Sequence, residues 1–262
     1  MVLDVLGLLS ACSYALDCVE AELVHVASKH AKRVAYMSVC MAEQLEISGE
    51  SLQDLAACAL LHDNALTQYI QEELHKEIAN VPPVSRIGIH CSLGEENIQN
   101  LPFHTDVKNV ILYHHENANG SGPFGKTWEE VPLFSRMIHL SDLLDRAYGA
   151  KGFTEDTFHE VCGYFHKNEG TIVDKECVNA FLQAFPLSHF LTLGEDSFEK
   201  SLWEKIPRIK QELSFAQIKE LARFFAQIVD YKSPFTSTHS IGVAEDALLV
   251  VLESVAAVKE NF

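Results

Sequence analysis

Positive charge is scarce in this sequence. Lys and Arg total 20 against 37 Asp and Glu, a formal charge of −17 over 262 residues. A surface that negative repels phosphate backbones and anionic lipid unless a local cation intervenes, which argues against non-specific nucleic-acid or membrane binding. Thirteen Gly and 8 Pro are too few for a collagen-like or low-complexity chain, and 47% hydrophobic against 22% charged residues excludes native disorder. No run of 18 apolar residues occurs, and the apolar opening MVLDVLGLLSAC carries Asp4 and lacks a basic start. That segment is expected to form the first helix of a cytoplasmic protein. The seven cysteines (12, 18, 40, 58, 91, 162 and 177) include no C-x-x-C pair and read as free thiols of a reducing compartment. Alternating strand patterns are also missing, so the expected fold is all-α.

What the chain has in excess is histidine, thirteen in all. His30, Val34, Met37, Met41 and Leu45 recur at helical spacing and form one face. Ser51-x-x-Asp54 reads as a capping-box start for a helix that ends at His62-Asp63. Pro82-Pro83 marks a loop, with a short helix near His90. The spacing of Val107, Val110, Ile111 and His114 predicts another helix, carrying His115 one turn beyond Ile111. NANGSGPFG (117–125) must be a loop, and Pro132 suits the first turn of a helix that places Ile138 and Asp142 on one side. Further helical patterns fill 155–185 and 196–229.

Taken in order, His30, His62-Asp63, His90, His114-His115 and Asp142 supply imidazole and carboxylate groups, ligand types that suit manganese, iron and zinc. A lone His on an apolar helix face is ordinarily a hydrogen-bonded core residue, and a bare His-Asp is ordinarily a helix end. The ordered set is more specific than any member. Burying so many polar side chains without a common partner would cost about 1–3 kcal/mol for each unsatisfied group, which a shared two-metal site avoids. His25, His75, His104, His139, His159, His166 and His189 fall outside this order and read as surface or satisfied core. The Gly-rich loop lacks the G-K-[ST] ending of a P-loop and directly follows the histidine pair, so it reads as a rim of the site.

The strings HAKRVA (30–35), LLHDNAL (60–66), HCSLG (90–94), HHENANGSGPFG (114–125) and SRMIHLSD (135–142) resemble the HD superfamily of metal-dependent phosphohydrolases, specifically its HD-GYP branch. That branch reads H-S-x-R-V-A, L-L-H-D-I-G-K, H-P-x-x-G, H-H-E with D-G-x-G-Y-P, and A-R-I with an Asp six residues after the Arg. The likeness runs from about residue 10 to 186. It implies a helical bundle around two or three divalent metals, iron or manganese in preference to zinc, nickel or magnesium. The implied ligands are His30, His62, Asp63, His90, His114, His115 and Asp142, with Asp63 bridging. The implied reaction is hydrolysis of cyclic di-GMP or a related cyclic dinucleotide by a metal-bridging hydroxide. Asp63 and Arg136 are then the catalytic candidates, and Asn119, Gly120, Gly122 and Phe124 the substrate-binding ones.

Three departures qualify the likeness. Leu66 stands where the branch has a phosphate-contacting Lys, Pro123-Phe124 replaces Tyr-Pro with Asn119 in place of Asp, and Val26 occupies the position of an acid found in three-metal members. Two metals are therefore expected rather than three. A degenerate signalling or binding module is the alternative reading, and a mononucleotide phosphohydrolase a less supported one. A signalling-domain partner and a homodimer belong to the expectations. A second H-x-x-x-V-A, HSIGVA at 239–244, repeats the HAKRVA entry, each after an Asp (Asp17, Asp230). It has no later ligands, so His239 completes no site. The expected organisation is a phosphohydrolase-like domain at 1–190, a helical connector at 191–214 and the opening of an incomplete second domain at 215–262, either a fragment of a tandem protein or a lost second half.

Overall fold

A computed structural model describes residues 1–23, 28–75 and 83–230. Eleven α-helices carry the described part of the fold: α1 (Val5–Leu23), α2 (His30–Gln44), α3 (Gly49–Leu60), α4 (Leu66–His75), α5 (Pro83–Ile98), α6 (Leu133–Tyr148), α7 (Glu155–Asn168), α8 (Lys175–Ala184), α9 (Leu187–Leu191), α10 (Ser197–Lys205) and α11 (Phe215–Asp230). Among the described residues the only sheet is a two-residue antiparallel pairing of β1 (Val2–Leu3) with β2 (Gln211–Glu212). It is clamped by the Met1 ammonium donating to the Leu213 carbonyl at 3.0 Å. Among the described residues no helix is long and apolar enough to cross a membrane. Cys12, Cys40, Cys58, Cys91, Cys162 and Cys177 are free thiols, all buried except the half-buried Cys162.

Helix α2 is the hub. It packs against α3, α6, α8 and α10 and is buried continuously from His30 to Ala42. Its small and unbranched residues, Ala31, Ala35, Met37, Cys40, Met41 and Ala42, let neighbours approach from all sides, as a central helix requires. Lys32 and Arg33 reach the same environment only because each has an anion: Lys32 pairs with Glu199 of α10, and Arg33 with Asp145 of α6. Residues 191–214, expected as a connector, include a 3-10 turn (Thr192–Gly194), α10 and β2. Here α10 lies against α2, tied by Lys29–Asp196 and Lys205–Glu43, each at 2.6 Å. His239 and residues 231–262 lie outside the described residues.

Three expected elements are corrected. Ser51-Asp54 does not open a helix: α3 begins at Gly49 after Ser48, and Asp54 lies within it. Its carboxylate instead accepts the backbone N–H groups of His104 (3.2 Å) and Thr105 (2.6 Å) and the Thr105 hydroxyl (2.8 Å), pinning a distant turn. The segment 105–116 is a succession of turns rather than a helix. Asn109 sits at φ +66°, and the Glu95 carboxylate draws the N–H groups of Asn109, Ile111 and Leu112 away from any i→i−4 ladder. Val107, Val110, Ile111 and His114 still point inward, so the apolar stripe survives without the helix. The helix near His90 proves long, with Pro83 at its first position.

The Arg33–Asp145 pair has side chains only 8% and 0% exposed. Arg33→Met leaves Asp145 without its cation, and unfolding free energy should fall by about 3–5 kcal/mol in urea titrations. Lys205→Met, which breaks a pair about a third exposed, should cost at most about 1 kcal/mol.

Candidate metal centre

The seven residues singled out in the sequence come together at one buried place. His30 opens α2, His62 and Asp63 sit in the turn that ends α3, His90 lies on α5, His114 and His115 close the turn segment, and Asp142 comes from α6. Asp63 faces both ways: its Oδ2 is 3.4 Å from His62 Nε2, while its Oδ1 is 3.2 Å from His90 Nε2 and 3.5 Å from His114 Nε2. Asp142 does the same, with Oδ1 3.3 Å from His30 Nε2 and 3.8 Å from His62 Nε2, and Oδ2 3.7 Å from His115 Nδ1. Two groups of candidate ligand atoms emerge, His30, His62 and Asp63 on one side and His90, Cys91, His114 and His115 on the other, each group lying within 4.8 Å.

The far nitrogens of three rings are already committed. His30 Nδ1 donates to Asp145 (2.7 Å), His62 Nδ1 to the Ala59 carbonyl (2.9 Å) and His114 Nδ1 to the Ile111 carbonyl (2.6 Å). A proton held there leaves the Nε2 lone pair facing the cluster, the arrangement that orients metal-ligating histidines. Yet Nε2 of His30, His62, His114 and His115 and Oδ1 of Asp63 and Asp142 are buried without a hydrogen-bond partner. Two ligands on one ion, each about 2.1 Å from it, stand about 3.0–3.4 Å apart. The nearest nitrogen–oxygen separations fall in that range, and the donor set of imidazoles and carboxylates suits divalent iron, manganese or zinc. The residues fit a metal pair.

Electrostatics point the same way. Burial opposes charge on Asp63, but His62, His114 and His90 hold its carboxyl well below the usual range. Asp142 is held down likewise by His30, His62 and Arg146 against its burial. Burial also opposes protonation of the rings, yet Asp142 and Asp145 lift His30 well above its ordinary value, and Asp63 with Cys91 lifts His90 to about 9. Burial and the neighbouring His114 push His115 well down, and burial takes His139 to about 4. Two sealed carboxylates thus draw positive charge onto the imidazoles around them, charge that a divalent ion would supply.

The remaining candidates lie around this cluster. Arg136 is engaged by Asp174 (3.3 Å) and Glu176 (3.5 Å) and lies over the Trp128 ring. Asn119 pairs with Thr127 in an isolated bridge, and its Oδ1 accepts the Ser121 N–H at 3.0 Å. Gly120 adopts φ +78°, and Gly122 packs so tightly that a Cβ there would meet the Glu116 Cα at 2.7 Å. Phe124 lies edge-on to Tyr113 and, with Pro123, abuts α5 at Gly88. Leu66, the first residue of α4, is half-buried. Val26 is outside the described residues.

Three supporting residues escaped the sequence reading. Asp145 holds His30 and Arg33, and its signal was its place one turn after Asp142 on α6. Glu116 is 4% exposed, and its carboxylate accepts the N–H groups of Phe124 (2.6 Å) and Lys126 (2.7 Å), closing the Gly-rich loop immediately after the histidine pair. His139, placed with the background, is buried three residues before Asp142, its Nδ1 donating to the His114 carbonyl at 3.1 Å and its Nε2 without a partner. His104 and His189 are hydrogen-bonded as the background reading expects, and His159 is exposed.

Comparisons with known proteins place the chain in a family. A 3′3′-cGAMP-specific phosphodiesterase of Vibrio cholerae is 27% identical over 241 residues, covering 88% of this chain and 54% of the relative. The cyclic di-GMP phosphodiesterase response regulator RpfG of Xanthomonas campestris is 28% identical over 161 residues, 58% of this chain and 42% of that protein. The chain therefore spans about half the length of the curated relatives it matches. A solved structure of a cyclic GMP-AMP specific phosphodiesterase from V. cholerae superposes with a TM-score of 0.70 over 90% of this chain and 62% of that one, at 22% identity, which shows a shared fold. Residues 17–177, more than half of the chain, match the HD domain family and enclose all seven cluster residues, so the chain belongs to that family.

Proposed function

We propose that this protein is a metal-dependent phosphodiesterase that opens a cyclic dinucleotide such as cyclic GMP-AMP or cyclic di-GMP. The observation that carries the reading is the set of buried, partnerless atoms on His30, His62, Asp63, His114, His115 and Asp142, gathered in one cluster of imidazoles and carboxylates. His30, His62 and Asp142 would hold one divalent ion and His90, His114 and His115 the other, with Asp63 offering one oxygen to each side. When bound, the ions supply Lewis acidity toward phosphoryl oxygens and an acidified water as nucleophile. The chain's own part is to fix that charge. Asp145, Ala59 and Ile111 set the ring tautomers, the surrounding helices exclude water, and the Gly-rich loop with Asn119, Gly120, Gly122 and Phe124 borders the entrance beside the histidine pair. Arg136 serves in this reading through its hold on Asp174, which keeps α6 against the start of α8.

Protein reconstituted with manganese or iron should convert 3′3′-cyclic GMP-AMP or cyclic di-GMP to a linear product, detected by chromatography. Asp63→Ala and chelation should abolish turnover. Protein carrying two ions per chain yet inert toward both cyclic substrates and toward linear dinucleotides would overturn the reading. Asp145→Asn removes the negative charge behind the His30 Nδ1 hydrogen bond without touching a ligand. It should weaken metal binding by about 10–100-fold in chelator competition.

Leu66 favours a second reading, a binding module that retains fold and metals without turnover, because the position leaves the phosphate without a fixed cation. The two readings separate at one substitution. Leu66→Lys should raise turnover by on the order of 10–100-fold if the centre is catalytic. Tight calorimetric binding of cyclic dinucleotide with no product in either protein would instead select the binding module.

A further inference from the structure

The α5 side of the cluster contains a group that the ligand set above does not use. Cys91 follows His90 where the family pattern has proline, and it is fully buried. Neighbouring residues of a helix normally diverge by about 100°. These two side chains nevertheless converge, with Cys91 Sγ 3.6 Å from His90 Nε2. The sulfur also shares a 4.8 Å circle with ligand atoms of His114 and His115. It also reaches the Ile87 carbonyl one turn back, at 3.4 Å. His114 is completely buried, and its Nε2 has no hydrogen-bond partner.

A tetrahedral ion about 2.3 Å from sulfur and about 2.05 Å from nitrogen separates the two donors by about 3.6 Å. The observed spacing is therefore that of two vertices of one shell, and the partnerless His114 nitrogen supplies a third. Resting on the metal-centre reading, we propose that Cys91 is a thiolate ligand of the ion held by His90, His114 and His115. On coordination the S–H bond gives way to an S–metal bond and the proton passes to solvent. The centre is then asymmetric. A nitrogen and oxygen position at His30, His62 and Asp142 favours manganese or iron, while a nitrogen and sulfur position at His90 and Cys91 favours zinc or ferrous iron.

Cobalt(II) titration of the full chain, followed by electronic absorption, tests this directly, because a thiolate on cobalt produces an intense near-ultraviolet charge-transfer band that imidazole and carboxylate do not. The wild-type protein should develop the band as its second position fills. Cys91→Ser should lose it while keeping the weaker visible bands of the other position, and Cys40→Ala, which removes a buried thiol elsewhere in the core, should leave it unchanged. Two bound cobalt ions without the band, or a band that persists in Cys91→Ser, would overturn the assignment and leave the metal centre standing. Folded wild-type protein that binds no cobalt would overturn both. Should Cys91→Ser fail to fold by circular dichroism, the presence or absence of the wild-type band decides alone.

Discussion

The carboxylate of Asp145, sealed from solvent, is the contact on which the rest depends. It receives the Arg33 guanidinium and the Nδ1 proton of His30, two residues one turn apart on α2. One turn earlier on the same α6, Asp142 faces the other end of the His30 ring. Both ends of that imidazole are therefore addressed by a single helix, so the packing of α2 on α6 and the aim of His30 are one constraint. A charged Arg could not occupy a hub helix without such a partner, because an uncompensated buried charge costs several kcal/mol. The fold and the site share this residue.

Charge within the cluster connects to charge over the whole chain. Burial opposes charge on Asp63 and Asp142, yet their surroundings hold both well below the usual carboxylate range, and Arg146, half exposed, stands 3.9 Å from Asp142. The surrounding rings respond unequally: His30, His90 and His114 gain affinity for protons, while burial and the neighbouring charge of His114 keep His115 neutral. A cluster that accumulates protons to balance its carboxylates is one that a divalent cation stabilises. In a protein of charge −17, with Leu66 in the lysine position of the resembled branch, positive potential for the proposed phosphodiester substrate has to come from inside this cluster rather than from the surface.

The site was more legible than its surroundings because its residues are chemically rare and ordered. His30, His62, Asp63, His90, His114, His115 and Asp142 could be picked out by type and position, and periodicity placed most of them on inward faces. What supports them could not be read in the same way. Asp145 and Glu116 look like ordinary surface acids until their partners, Arg33 and the N–H groups of Phe124 and Lys126, are brought in by folding. The helix expected at 105–116 failed for a related reason. Its apolar stripe was correctly periodic, but a carboxylate from α5 competes for its backbone donors, and local propensity carries no record of a residue that distant. Likewise Asp17, noticed only as part of a repeat, accepts the Ala31 N–H at 2.9 Å and so caps the helix that His30 opens.

The Gly-rich loop is better understood as a brace than as a lid. Glu116 follows His115 directly, and its buried carboxylate holds the loop's far side, so loop and histidine pair are coupled through one residue. At its tip, Pro123 and Phe124 press on α5 at Gly88, where even a methyl group would stand 3.0 Å from the proline ring. Gly88 is two residues before His90. The loop therefore touches the backbone on both arms of the α5 side, and it cannot open without disturbing His90, His114 or His115. Pro123 and Phe124, standing where the resembled branch has Tyr-Pro, brace α5 through apolar contact and offer no hydroxyl at that point.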